Sequence, residues 1–241
     1  IFLDLDDTIL QTAPKCPPAE PVEPAAVDRA GRALSFMTRA QRRLLTFWLE
    51  RGTVIPVTGR TDEALARVTL KFESWRITHH GAVIRRPDGC LPIWWHGEIR
   101  PLLAAAQPLL WEYAASLERD AATEGYRVRS HSVDEWLTYI SIKANADDAV
   151  LTELRTRLVA SGLPEELALH HNGNNLAITV RGVQKHDAVR RVAMELKQEG
   201  PIVTIGAGDS LTDIPFLRGC DFALVPRDSQ IQTETWREYA P

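Results

Sequence analysis

The chain has 241 residues, a formal net charge of -4, 44% hydrophobic residues and 25% charged residues. That length can bury one substantial core with a smaller inserted lobe, and the composition is that of an ordinary globular protein. No Lys/Arg run is present that could replace the counterions of a nucleic acid, so DNA and RNA are not expected as partners.

Membrane and secretory signals are not seen in the sequence either. The longest apolar tract, residues 101–117, is interrupted by Gln107, Pro108 and Glu112 and is too short for a membrane span. No basic start is followed by an apolar core and a small-residue cleavage site. The 3 cysteines show no C-x-x-C spacing, so we expect a cytoplasmic protein without a structural disulfide or zinc site.

The first ten residues read as a short strand that runs into an acidic cluster. Residues 1–5 are apolar except for Asp4, which suits a buried strand of a parallel sheet, and Asp6 and Asp7 follow directly. Crowded carboxylates disfavour one another's ionised form unless a cation such as Mg²⁺ is bound. Asp4 and Asp6 would lie on one side of an extended chain, about 7 Å apart, and could flank a reacting group. Taken alone, the same residues also fit a solvated turn.

The next segments predict a loop, a helix and a strand. Five prolines in residues 11–26 exclude a helix interior and a central strand, so this segment is interpreted as a loop. Thr38 and Gln41 match the capping box of a helix that Gly52 would end. Residues 53–57 predict a second strand, which leads into Thr58.

A turn that suits anion binding follows this second strand. Thr58, Gly59 and Arg60 lie between the strand and the start of a helix, where backbone N–H groups can point at an anion. We expect Arg60 itself to be solvated or to face the inserted lobe. His79 and His80 are neighbours between two short predicted strands, so they would point to opposite faces and not share a metal; His80 is retained as a candidate for lining a pocket.

Residues 86–182 predict a separate α+β lobe. The pattern is helix, two strands, helix, two strands, over residues 102–123, 126–129, 136–143, 147–160, 167–171 and 176–180. We therefore expect an α/β core made of residues 1–85 and 183–241, with the lobe inserted between its halves. Asn172, Asn174 and Asn175, in a polar turn of the lobe, are candidate substrate contacts.

The core then resumes with a helix over residues 185–198 and a strand over residues 202–205. A glycine-rich acidic turn containing Asp209 and Asp213 follows, then a short helix to Leu217 and a last strand over residues 222–225. The tail after Pro226 carries no recognisable signal. Loops at the carboxyl ends of parallel strands converge on one crevice. Four elements are therefore expected to meet there: the pair Asp4 and Asp6, Thr58, Lys185, and the pair Asp209 and Asp213.

Four motifs in this order resemble those of the haloacid-dehalogenase superfamily of phosphohydrolases. They are Asp4-Leu5-Asp6-Asp7-Thr8 for D-x-D-x-T, Thr58 at the end of a strand, Lys185, and Gly208-Asp209-Ser210-Leu211-Thr212-Asp213 for G-D-x-x-x-D. The resemblance implies a Rossmann-like parallel-sheet core. It also implies that the inserted lobe is a C2B-type cap, like that of Cof-like sugar phosphatases and sucrose-phosphate phosphatase.

The resemblance also implies roles for individual residues. Asp4 would be the nucleophile that becomes an aspartyl phosphate, and Asp6 would protonate the leaving alcohol and later activate water, with its backbone carbonyl on the metal. Thr58, Gly59 and Lys185 would bind the transferring phosphoryl group.

The same resemblance implies a Mg²⁺ site formed by Asp4, Asp6, Asp209 and Asp213. The contribution of Asp213 is left open between direct ligation, support of a ligand and capping of a helix. This chain carries His80 where Cof-like proteins usually have asparagine, so the polarity of its pocket is expected to differ.

The expected function is Mg²⁺-dependent hydrolysis of a small phosphorylated metabolite, in particular a sugar phosphate, with the cap closing over the leaving group. Two alternatives remain open from the sequence. One is phosphoryl transfer between positions of a sugar, as in phosphomutases; the other is a non-catalytic binding protein on the same fold. The sequence does not predict the oligomeric state.

Overall fold

The computed structural model describes residues 1–172 and 175–235. The chain divides into two compact units, one formed by Ile1–Pro92 with Lys185–Pro241 as far as it is described, the other by Ile93–Gln184. The boundaries expected from the sequence were 85/86 and 182/183.

The elements of the first unit come from both halves of the chain. Before the second unit they are β1 (Phe2–Leu3), β2 (Val22–Val27), β3 (Ala33–Thr38), α1 (Arg39–Arg51), β4 (Ile55–Pro56), α2 (Asp62–Leu65), β5 (Arg76–Thr78) and β6 (Val83–Arg85). The second unit contains α3 (Ile93–Glu124), β7 (Tyr126–Val133), β8 (Trp136–Ala144), α4 (Ala149–Ala160), β9 (Leu167–Asn172) and β10 (Asn175–Val180). The first unit then resumes with α5 (Lys185–Gln198), β11 (Ile205–Ala207), α6 (Ile214–Leu217), β12 (Phe222–Leu224) and α7 (Gln230–Thr235).

A parallel sheet of order β12-β11-β1-β4 is the centre of the first unit. Phe2 and Leu3 of β1 pair in parallel with β11 on one side and with β4 on the other, and both side chains are buried. The Asp4 N–H extends the ladder by donating to the carbonyl of Ala207 at 2.9 Å. The carboxyl ends of β1, β4 and β11 therefore lie at one edge of the sheet, as expected for an α/β core.

The prediction of a loop over residues 11–26 is wrong for its last part. Val22–Val27 forms an antiparallel hairpin with Ala33–Thr38, and Pro24 pairs with Phe36 just before a register shift. Proline is tolerated here because a two-stranded hairpin leaves one side of each strand without a ladder partner. Ala25 and Ala26 are fully buried, so the hairpin packs into the core of this unit.

The strand predicted over residues 202–205 is also displaced along the chain. The structure places β11 at Ile205–Ala207, because pairing with β1 fixes its position although Gly206 and Ala207 have weak strand propensity. A β-carbon on Gly206 would lie 2.9 Å from Leu217 Cδ2. Glycine at this position thus lets α6 pack closely on the strand.

The second unit is the expected α+β lobe, with an antiparallel sheet of order β7-β8-β10-β9 and the two helices α3 and α4. Helix α3 begins at Ile93, although the sequence predicted a start at residue 102, and it continues through Pro101 and Pro108. Proline removes a backbone donor from a helix. The side-chain Nε2 of Gln107 donates to the carbonyl of Leu103 at 3.1 Å and to that of Leu137 at 2.9 Å, and the second contact ties α3 to β8.

Helix α7 forms after Pro226, where the sequence gave no signal; residues 236–241 lie outside the described part of the chain. Within residues 1–172 and 175–235, no helix combines the length and the apolar character that a membrane crossing requires.

The capping box predicted for α1 forms, and it allows a test of how this helix is held. Gln41 N donates to Thr38 Oγ1 at 3.2 Å, and Thr38 N donates to Gln41 Oε1 at 2.8 Å. Thr38→Ala leaves one of these donors without its acceptor, so we expect the free energy of unfolding to fall by about 1 kcal/mol in urea titrations. Thr46→Ala, on the exposed part of the same helix, is the control and should not be destabilising. An equal loss in both variants would contradict the capping role.

Candidate active site

The sequence-predicted residues of the first unit do converge at the edge of its parallel sheet. Asp4 follows β1, Thr58 follows β4, Asp209 follows β11, and Lys185 is the first residue of α5. All four side chains are buried, as is that of Asp213. Charged groups are rarely buried unless they are paired, so their partners determine what this site can do.

Lys185 joins two of the carboxylates. Its Nζ donates to Asp4 Oδ1 and to Asp213 Oδ1, each at 2.7 Å. A cation at the first position of a helix is disfavoured by the helix dipole, and burial also disfavours its charge. The charges of Asp213 and Asp4 outweigh the burial and raise the pKa of Lys185, so the ammonium stays charged.

Thr8 joins the nucleophile candidate to the second acidic turn. Its Oγ1 lies 3.0 Å from Asp4 Oδ2 and 3.2 Å from Asp209 Oδ1. A hydroxyl has one proton to donate, so it cannot satisfy both carboxylate oxygens at once. Sequence reasoning gave Thr8 no role of its own, although its place in the D-x-D-x-T motif was the available signal.

Asp213 braces the acidic turn from inside. Its Oδ2 accepts hydrogen bonds from Asp209 N at 3.3 Å, Ser210 N at 3.1 Å and Ser210 Oγ at 2.8 Å, while Oδ1 accepts from Lys185. A β-carbon on Gly208 would lie 2.7 Å from Asp213 Cβ, so the turn needs glycine there. Asp213 therefore fixes both Lys185 and the backbone that carries Asp209. Ser210 was not singled out in the sequence.

Asp4, Asp209 and Asp213 form a cluster with an excess of negative charge. One carboxylate oxygen from each lies within 4.8 Å of the others. Burial raises the pKa of Asp4 well above its ordinary value, Lys185 opposes this, and the charges of Asp213 and Asp209 add to it. Burial, reinforced by the charge of Asp213, raises the pKa of Asp209 to about 6. A buried all-oxygen cluster that a single ammonium does not neutralise suits a hard divalent cation such as Mg²⁺.

The Asp6 side chain is not part of this cluster. Its two oxygens accept from Arg60, Nε to Oδ2 at 2.8 Å and Nη2 to Oδ1 at 2.6 Å. The Arg60 side chain is 12% exposed and that of Asp6 is 51% exposed. The first of the two expectations for Arg60, a solvated side chain, is therefore wrong, because its guanidinium donates to the carboxylate and to Ser35 Oγ at 3.2 Å. The alternative that Arg60 faces the inserted lobe stays a prediction.

The anion-binding role expected for the turn at Thr58 stays a prediction, because the N–H of Thr58 donates to the carbonyl of Ile77 and the N–H of Arg60 donates within the turn. Thr58 Oγ1 accepts from the N–H of Arg60 at 3.1 Å, which leaves the hydroxyl proton for another acceptor. A β-carbon on Gly59 would lie 2.4 Å from Cε1 of His80. The imidazole of His80 therefore packs directly on Gly59, and Gly59 is required for that approach.

The polar turn predicted to contain Asn172 and Asn175 is not found at those two residues. Asn172 ends β9 and pairs with Asn175, which begins β10, so both belong to strands and not to a turn. Asn174 lies outside the described residues. The proposed roles of these asparagines in substrate binding stay predictions.

The contact between Gly59 and His80 predicts that substitutions at these two residues have non-additive effects on the free energy of unfolding. Gly59→Ala should lower the free energy of unfolding by about 1–3 kcal/mol, because the new methyl group meets the imidazole ring. In a His80→Ala background the same change should cost less than about 1 kcal/mol, as measured by a double-mutant cycle in urea. Gly97→Ala in α3, where a β-carbon meets no atom within 4 Å, is the control and should not destabilise. Additive effects of Gly59→Ala and His80→Ala would contradict the contact.

The raised pKa of Asp209 predicts that this carboxylate destabilises the protein when no divalent cation is bound. The pKa of Asp209 is near 6 in the folded protein and near 3.8 in the unfolded chain, so the free energy of unfolding falls as pH rises between those values. At pH 7.5 with chelator, Asp209→Asn should raise the free energy of unfolding by on the order of 2 kcal/mol, and the gain should shrink below pH 6. Mg²⁺ should stabilise the unmutated protein and not this variant.

Asp221 provides the opposite control for that measurement. Its Oδ2 accepts from Thr204 Oγ1 at 2.7 Å and from Thr204 N at 2.8 Å, and these hydrogen bonds lower its pKa. Asp221→Asn should therefore reduce stability at pH 7.5. If Asp209→Asn also reduced stability under chelation, the idea of a strained acidic cluster would be wrong.

Comparison with known proteins identifies structures that share the fold of this chain. No protein-family model and no curated protein sequence matches the chain. Among solved structures, the sucrose-phosphatase of Synechocystis sp. PCC6803, in complex with sucrose and phosphate, superposes with a TM-score of 0.55 at 18% identity, covering 83% of this chain and 81% of that one.

Two further structures show the same likeness. A trehalose-6-phosphate phosphatase related protein gives a TM-score of 0.51 at 18% identity over 99% of this chain and 95% of that one. A haloacid dehalogenase-like hydrolase from B. subtilis gives 0.52 at 15% identity, over 89% and 98%. The chain therefore has the fold of these haloacid dehalogenase-like structures, with a parallel-sheet core and an inserted α+β unit.

Proposed function

We propose that this protein is a Mg²⁺-dependent hydrolase of small organic phosphate esters that works through an aspartyl-phosphate intermediate. The observation that carries the proposal is the buried contact of Lys185 with Asp4 and Asp213, beside Asp209. A surface-binding role would not require an ammonium and three carboxylates to be taken out of water together. The fold is consistent with this chemistry but does not by itself establish it.

In the first half-reaction, Asp4 is the nucleophile. One of its carboxylate oxygens attacks phosphorus, the bond from phosphorus to the ester oxygen breaks, and the leaving alcohol takes a proton from Asp6. Lys185 and Thr8 hold the Asp4 carboxylate through both of its oxygens, which fixes the direction of attack.

In the second half-reaction, water regenerates the carboxylate. Asp6 accepts a proton as the water oxygen attacks phosphorus, the bond between Asp4 and phosphorus breaks, and inorganic phosphate leaves. Asp6 thereby recovers the proton that it gave to the alcohol, and the cycle closes. Its half-exposed side chain is accessible to both the alcohol and the water.

The remaining residues stabilise charge on the transferring group. Thr58 has a hydroxyl proton to donate, and Lys185 supplies a positive charge beside Asp4. Asp4 and Asp209, supported by Asp213, would hold Mg²⁺. The ion would neutralise charge between the nucleophile and the phosphate and polarise a phosphoryl oxygen.

The proposed substrate is a small phosphorylated metabolite, in particular a sugar phosphate. Two of the similar solved structures are described as a sucrose-phosphatase and a trehalose-6-phosphate phosphatase related protein, which supports that class. The net charge of -4 and the lack of a basic run argue against a nucleic-acid substrate. We also propose a cytoplasmic setting, on the basis of cysteine usage.

Phosphate release from p-nitrophenyl phosphate and a panel of sugar phosphates tests this proposal. We expect activity that needs Mg²⁺, is lost with chelator, and falls by at least about 10³-fold in Asp4→Asn, because the amide cannot act as the nucleophile. Asp7→Asn is the matched control, since Asp7 lies in the same turn but pairs with Lys15; it should keep most of the activity.

Two results would contradict the proposal. Full activity in Asp4→Asn would exclude Asp4 as the nucleophile. Conversion of a sugar phosphate to an isomer, without release of inorganic phosphate, would replace hydrolysis by intramolecular phosphoryl transfer.

A further inference from the structure

Arg60 holds Asp6 by a two-pronged contact that the fold supports from several sides. Nε and Nη2 of the guanidinium each donate to a different oxygen of the carboxylate, at 2.8 Å and 2.6 Å. Such a bidentate pair fixes both the position and the plane of a carboxylate, which a single hydrogen bond does not. The pair joins two turns of the first unit that are 54 residues apart in the sequence.

The burial of the pair is asymmetric. Only 12% of the Arg60 side chain is exposed, whereas 51% of the Asp6 side chain is exposed. The guanidinium therefore lies behind the carboxylate, and the carboxylate remains open to a reacting molecule. This arrangement differs from a surface ion pair such as Arg29 with Glu63, where both side chains are mostly exposed.

Arg60 is itself held in place. Its N–H donates to Thr58 Oγ1 at 3.1 Å, its carbonyl accepts from His79 N at 2.9 Å, and its Nη2 also donates to Ser35 Oγ at 3.2 Å. Ser35 is a buried residue of the hairpin strand β3. The backbone and the end of the arginine are thus fixed before any ligand binds, so the carboxylate in front of it is preorganised.

We propose that Arg60, supported by Ser35, is the positioning residue that aligns the Asp6 carboxyl group for proton transfer to the leaving alcohol. In the protonated form Nη2 of Arg60 stays on Oδ1 and holds the plane of the group, while Oδ2 gives up its contact with Nε, carries the proton and passes it to the alcohol. This inference rests on the proposed phosphatase function. Because Thr58 and Arg60 belong to one turn, the same turn binds the phosphoryl group and orients the acid that protonates its leaving group. The hairpin strand β3 thereby contributes to catalysis through Ser35.

Substrates with different leaving groups can distinguish this positioning role of Arg60 from a purely structural one. p-Nitrophenolate leaves without a proton, whereas a sugar alkoxide needs one. The value of kcat/KM covers binding and the first half-reaction only, so the later attack of water does not enter it. Loss of alignment of Asp6 must therefore reduce kcat/KM for a sugar phosphate and leave that for p-nitrophenyl phosphate nearly unchanged.

The experiment compares the two substrates for Arg60→Lys, Arg60→Gln and Ser35→Ala. With the best sugar phosphate of the panel, we expect kcat/KM to fall about 10–100-fold in Arg60→Gln and by a smaller factor in Arg60→Lys, which keeps the charge but not the fork. With p-nitrophenyl phosphate, both variants should stay within about threefold of the unmutated protein. Ser35→Ala keeps the ion pair and should show the same selectivity at about two- to fivefold.

Arg29→Lys is the matched control, as an arginine whose carboxylate partner is exposed, and it should change neither value. Equal losses for both substrates in the Arg60 and Ser35 variants would overturn the inference and make the contact structural. Unchanged activity on both substrates would overturn it as well. These outcomes differ from failure of the proposed function, which appears as activity retained by Asp4→Asn.

Discussion

The burial of three carboxylates around one ammonium is the constraint on which this site depends. Lys185 reaches Asp4 and Asp213 at 2.7 Å each, and Asp209 adds a third carboxylate within the same cluster. One positive charge cannot neutralise three negative charges, so the cluster keeps an affinity for a further cation. The raised pKa values of Asp4 and Asp209 express that imbalance. On the proposed function, stability is sacrificed at the place where a metal-assisted reaction would require negative charge.

The fold serves this cluster by bringing distant turns to one edge of a parallel sheet. Thr8 connects the first acidic turn to Asp209, Asp213 connects Lys185 to the turn after β11, and Arg60 connects Asp6 to the hairpin. The residues to which we assign the chemistry are therefore each held by a neighbour from another part of the chain. This arrangement explains how one site can keep Asp4 buried and paired while leaving Asp6 accessible to solvent.

The sequence predicted what depends on local pattern and missed what depends on tertiary partners. The helix over Lys185–Gln198 and the order of elements in the inserted unit follow from hydrophobic periodicity and were found. The strand Val22–Val27 was missed because the prolines of residues 11–26 argue against a strand. Its pairing with β3 in the hairpin is what allows it to form. The convergence of Asp4, Thr58, Lys185 and Asp209 could be predicted from parallel-sheet geometry. The contact of Arg60 with Asp6 could not, because no spacing rule relates two turns so far apart in the chain.

Trapping of the covalent intermediate shows directly whether Asp4 is the nucleophile. The protein would be mixed with Mg²⁺ and an active phosphate ester, quenched in acid during turnover, digested and analysed by mass spectrometry. We expect one phosphoryl group on the peptide that contains Asp4, and none when the Asp4→Asn variant is treated in the same way. A phosphoryl group on any other residue would contradict this expectation. So would steady turnover of p-nitrophenyl phosphate, whose leaving group needs no proton from Asp6, in which no phosphorylated peptide accumulates even when Asp6→Asn slows hydrolysis of the intermediate.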